Sequence, residues 1–182
     1  MSTQQPTPSE ERLARFKDHY AVADGTEIQR GCSAAAMTAI EDEYVQKQRK
    51  MFSGEEQIIF MMTYECFVMW CLLRGLATLL TRQDVEHVRI AIHDHFTKHA
   101  RYRQNVFEKI WEKMQDVMPM AMTSTPDGVP PLPVAEMFMA PTLAGFKLDL
   151  LKTDLEFGVF VGLAVSELET TGHDLARINQ SS

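Results

Sequence analysis

Basic residues are in short supply in this 182-residue chain. Lys and Arg number 18 against 25 Asp and Glu, for a formal charge of -7 and a pI near 5.4. A dedicated nucleic-acid binder needs a basic face to displace counterions from phosphate, so that class is disfavoured. No stretch carries a single-sign block of charge of the kind that marks a nucleic-acid arm or a polybasic membrane patch. Cysteine is equally sparse. The three thiols, Cys32, Cys66 and Cys71, fit neither a zinc nor a thioredoxin-like spacing, and no Cys-x-x-Cys-His attaches a haem covalently. Reduced thiols acting as small apolar side chains are the expectation, in a reducing, cytoplasmic setting.

Catalytic signatures are missing too. There is no Gly-x-Ser-x-Gly, no Walker loop and no Gly-x-Gly-x-x-Gly following a strand. The di-iron pattern needs Glu-x-x-His on two helices, and no Glu-x-x-His occurs. The first eight residues have neither a basic start nor an apolar run, so they do not read as a secretory signal. They read as a flexible tail, residues 1–8, ahead of one domain over 9–182.

What is present is a globular composition, 45% hydrophobic and 24% charged, patterned for helices. The expected fold is all-α: a bundle of four to five main helices with a long antiparallel hairpin, 54–80 against 82–118. A first helix is expected from Ser9, and a second over about 33–52 with Met37, Ile40, Tyr44 and Met51 as its stripe. Ser53-Gly54-Glu55-Glu56 ahead of an apolar run has the form of a capping box. Thr81 with Asp84 offers a weaker version of it before the next helix. The stripe Val85, Val88, Ile92, Phe96, Val106, Phe107, Ile110, Met114 and Val117 continues to Met118, where Pro119 discourages extension. Five prolines within 119–133 mark a Pro/Met-rich loop, 119–141, with a short helical turn near 134–139. A last helix is expected over about 142–171, ending at Gly172 as a C′ residue. Its Phe157–Leu163 stretch also suits a buried strand, but no second strand-like segment exists to pair with it.

Ile58 to Leu80 is long enough to span a bilayer. Glu65 and Arg74 interrupt it and no basic cluster flanks it, so it is taken as the core helix and no membrane span is expected.

Glu65 breaks the core pattern, falling on the same helical face as Ile58, Met62, Met69, Leu72 and Leu76. A buried carboxylate must find a partner or take up a proton. His99 and Arg103 interrupt the next helix's stripe, and His95 lies at its edge. A hairpin closing near residue 81 brings Glu65 level with His95 and His99. Two readings compete for this layer, which takes in Tyr102 and Arg103. One is a polar pair that fixes helix register. The other is a small-ligand, metal or haem site, since His95-x-x-x-His99 spans one turn and Glu65 supplies a third ligand. No cofactor is otherwise implied.

Two features point toward partners. Gly158 and Gly162 share one helical face, where a missing β-carbon admits close approach. Met120, Met122, Met137, Phe138 and Met139 surround the proline-rich loop and suit an adaptable surface. The 82–118 helix would project beyond a monomeric core, so a homodimer is expected. The leading expectation is a non-enzymatic cytoplasmic adaptor, accessory or regulatory protein that binds another protein. The alternative is a small-ligand, metal or haem sensor, or a helical enzyme, using Glu65, His95 and His99.

Overall fold

The computed structural model describes residues 14–99, 104–121, 133–149 and 152–181. Among them the protein is all-α, with eight helices and no strand. These are α1 (Lys17–Val22), α2 (Glu27–Ile40), α3 (Glu43–Arg49), α4 (Glu55–Leu76), α5 (Arg82–His99), α6 (Gln104–Ala121), α7 (Pro133–Leu143) and α8 (Leu155–Ser181). The Phe157–Leu163 stretch is helical. The tail, the start expected at Ser9, Tyr102, Arg103 and Met122 lie outside the described residues. So do the side chains of His99 and Met120.

α4 is the axis of the bundle. It is apolar on nearly every side, and Ile59 through Met69 is buried without a break. α8 is its broadest neighbour, and α2, α5, α6 and α7 close round the rest. Among the described residues, α4 alone is long and apolar enough to cross a membrane, but 83% of its most apolar window is buried within the chain. Around its N-terminal half stands an aromatic cluster. Phe60 stacks on Phe52 at 4.9 Å, and Phe138 and Phe157 pack on Phe60 at 6.1 and 5.8 Å.

The segment expected as one rod over 82–118 is described as two helices, α5 and α6, and the His93 ring packs on Phe107 at 4.8 Å, where one straight helix would hold the two about 21 Å apart. α5 lies more broadly on α2 than on α4. The dimer argument drawn from a projecting rod loses its premise. Helix ends also differ from expectation. The α4 N-cap is Gly54 at φ +56°, one residue beyond Ser53, and Glu56 is taken instead by an ion pair with Lys152. A side chain reaching back to the amide preceding a helix occurs at α2, where the Thr26 amide donates to Gln29 Oε1 at 2.9 Å. The Thr81 cap holds, accepting from the Asp84 amide at 3.2 Å. Pro119 does not end α6, which runs on to Ala121. A proline in the last turn forfeits one backbone bond with little helix left to disrupt.

The expected 142–171 helix is replaced by α7, a connection and α8. Gly145 at φ +87° ends α7 in a Schellman arrangement. Its amide donates to the Thr142 carbonyl at 3.0 Å, and the Phe146 amide donates to the Pro141 carbonyl at 2.8 Å. Asp154 then starts α8, its Oδ1 accepting from the Phe157 amide at 2.8 Å. α8 passes through Gly172 to Ser181, so Gly172 is an interior glycine and not a terminator. The reason is tertiary. A β-carbon at Gly172 would lie 2.2 Å from the Leu72 carbonyl oxygen, and one at Gly75 would lie 2.0 Å from that of Glu169.

Candidate functional site

Two places carry residues that the expected functions need: the buried polar side chains of α4 and α5, and an apolar strip on the surface.

The buried polar side chains begin with Glu65, on the buried middle of α4 and 2% exposed. Glu65 has an interaction partner within the protein. The neighbouring Cys66 thiol points to the Phe107 carbonyl at 3.9 Å, and its pKa is held well above the ordinary value, first by burial and then by the Glu65 charge. On α5, Val88, Ile92 and Phe96 form the inner stripe, and histidines flank it on both sides. His95, 6% exposed, borders a small cavity of about 150 Å³ with Asp24, Gly25, Ala91, Asp94 and Lys98. His93, 9% exposed, packs its ring on Phe107 at 4.8 Å. Among the described residues its Nε2 has no hydrogen-bond partner. Successive side chains fan out by about 100°, so His93 and His95 face different neighbours. Sequence reasoning passed over His93 as a core residue. It lies outside the α5 stripe, and Phe107 of α6 packs on its ring from that flank.

Among the described residues, no group of three His, Cys, Asp or Glu side chains is placed to hold a metal ion. Glu65 and His95 are both withdrawn from water, as the pattern suggested.

The surface strip is on the N-terminal half of α8. Leu155, Val159 and Leu163, four residues apart, are 91%, 64% and 70% exposed. Ser166 and Thr170 continue the same face, so about 22 Å of helix carries no charge along its crest. The opposite face, with Phe157, Val161, Val165 and Leu168, is buried in the core. Gly162 adjoins the crest, and a β-carbon there would meet no atom within 4 Å. Gly75 and Gly172 are each set against another helix's backbone inside the fold. The Gly162 side of α8 is left open.

Beside Leu163 a cleft of about 390 Å³ opens between α2 and α8. Phe16, Ala35, Ala39, Phe160, Ala164 and Leu168 make its apolar wall, and Arg15, Asp42 and Glu167 stand among its lining residues. Of the methionine-rich surface, Met137 and Phe138 are fully buried, because α7 folds them onto α4 and α8 as core. Met139 remains on the surface at 45% exposure. The leucine and valine positions of the strip were missed in the sequence because Leu155, Val159 and Leu163 read as ordinary core residues of an apolar helix.

No known protein family matches the chain, and no characterised protein or solved structure is significantly similar to it.

Proposed function

We propose that the chain is a non-enzymatic cytoplasmic helical protein, an adaptor, accessory or regulatory factor, that binds another protein. The observation that supports this reading is the α8 strip. Three large aliphatic side chains at helical spacing point away from the core, beside an open glycine and an apolar cleft. Scattered exposed aliphatics are normal on a protein surface. A row on one helix, continued into a cleft, is the form of a helix-binding surface.

The test is site-specific photo-crosslinking in the native cell. A benzoylphenylalanine at Val159 is expected to form one protein adduct that a probe at exposed Gln83 does not form. The Leu163→Asp substitution should abolish the adduct. Equal labelling from both positions, or none from Val159, removes the reading.

A second reading, a small-ligand, metal or haem sensor or helical enzyme using Glu65, His95 and His99, is supported by the burial of Glu65 and His95 in the bundle. Elemental analysis and an absorption spectrum of the purified protein test it. A Glu65→Leu variant that loses binding with its fold intact would favour this reading. Retained function with altered stability would favour a register pair.

A further inference from the structure

The crest of the α8 strip is uncharged, and the rim on the side of α2 and α3 is acidic. Asp154 and Glu156 both act on the Tyr44 hydroxyl, and Asp42 and Glu167 stand at the cleft beside Leu163. Of the cations described on this side, Arg15 is matched to Glu167 at 3.1 Å, and Lys47 lies over the Tyr44 ring at 5.6 Å. With Arg15 and Glu167 set against each other, Asp42, Asp154 and Glu156 leave the described rim acidic beside Lys47. α8 itself carries four acids and a single arginine, Arg177.

Resting on the partner-binding reading above, we infer that this strip docks a basic amphipathic helix of another protein. The apolar seam of that helix sits on Leu155, Val159 and Leu163. One of its bulky apolar side chains enters the cleft beside Leu163, and its Lys or Arg residues line up with Glu156 and the neighbouring carboxylates. The missing β-carbon at Gly162 lets a second backbone approach closely, as small residues do at helix crossings. Charge complementarity of this kind selects partners and speeds encounter more than it adds affinity.

The same charges disfavour the other occupants. A second copy docked antiparallel about a two-fold axis would set this rim, with Asp42, Asp154 and Glu156, against the same rim of its partner. Like charges brought together in this way are destabilising. An anionic membrane surface recruits helices whose polar flanks are rich in Lys and Arg, and this strip has carboxylates in those places.

The experiment uses the full chain and two labelled synthetic helical peptides with one leucine seam, flanked by lysines in one and by glutamates in the other. Fluorescence anisotropy is expected to show the lysine peptide binding at least about 10-fold tighter, an advantage that shrinks with added salt. Leu163→Asp should abolish binding. Glu156→Lys with Glu167→Lys should reverse the preference, while circular dichroism and the urea midpoint confirm that each variant folds. Equal binding of both peptides, or binding indifferent to Leu163→Asp, overturns the inference. So does a dimer in light scattering that Leu163→Asp dissolves. The Val159 crosslink reports a partner whatever its charge. Capture there of an acid-flanked helix would overturn this inference and leave the partner reading in place.

Discussion

Gly75 on α4 and Gly172 on α8 meet at the crossing of the two longest helices, each against the other helix's backbone. A β-carbon on either would fall 2.0–2.2 Å from a carbonyl oxygen. That distance is inside van der Waals contact, and the obstacle is main chain, which cannot rotate aside. Gly172→Ala gains up to ~1 kcal/mol of helix propensity. Overpacking a tight core costs about 1–3 kcal/mol or more, and the clash wins. Gly172→Ala and Gly75→Ala are each expected to lower the urea midpoint. Gly162→Ala, with open space around it, should hold or raise it. Chemical denaturation of the three variants checks this, and an unchanged midpoint for Gly172→Ala would contradict the crossing.

Asp154 ties α8 to α3. It caps α8 through the Phe157 amide, accepts from the Tyr44 hydroxyl at 2.8 Å and from Gln48 Nε2 at 3.0 Å. The Tyr44 hydrogen bond is the largest influence holding its carboxyl below the ordinary 3.8. A depressed carboxyl stabilises above its unfolded pKa, and the contribution is lost as pH falls through the lower folded value. Asp154→Ala should therefore lower Tm at pH 7 by more than Tyr44→Phe does. The gap to the parent chain should close as pH is taken well below 3.8. Thermal unfolding across pH measures both, and a gap independent of pH would refute the ionised cap.

Arg74 lies 3.2 Å from Glu169 and 5.3 Å over the Trp70 ring. Burial raises the Glu169 carboxyl above the ordinary 4.5, and Arg74 pulls it part of the way back. A raised carboxyl costs stability as pH climbs through its folded value and costs nothing once protonated. Arg74→Met should lower the urea midpoint at pH 7 and do so much less at pH 4. Adding Glu169→Gln should restore most of the loss at pH 7. Equal losses at both pH values would place the whole effect in packing against Trp70.

The thiols are closed to reagents. Burial pushes Cys32 up to about 12 and holds Cys66 and Cys71 well above their ordinary value. All three are buried and unbridged. Only the thiolate reacts, so Ellman's reagent at pH 8 is expected to find no thiol in the folded protein and all three in guanidinium. Rapid reaction of any thiol in the native state would mean that α2, for Cys32, or α4, for Cys66 and Cys71, opens far more readily than its packing implies.

The helical class was written in local chemistry. Apolar residues recur at helical spacing, Thr81 precedes Asp84, and breakers fall between the stripes. Each needs only residues within one or two turns, so it survives without knowledge of the rest. The burial of Glu65 was legible for the same reason, because the face it shares with Met62 and Met69 is a property of one helix. The ending of α7 at Gly145 was readable in principle, yet the long apolar periodicity on both sides masked it.

Contacts between distant segments were decided elsewhere. Sequence alone marks Gly172 as a helix breaker, and only the backbone of α4 beside it explains a glycine in mid-helix. The His93 ring is packed by Phe107 of α6, and Met137 and Phe138 are buried by the closure of α7, none of which leaves a periodic signal at those positions. Leu155, Val159 and Leu163 show the opposite case. Periodicity identifies an apolar face but not how many faces the neighbouring helices will cover, and α8 has one more than the bundle fills. Hydrophobic pattern is set by the chain locally. Which surfaces meet depends on close packing among all the helices at once, and that is what the tertiary structure adds.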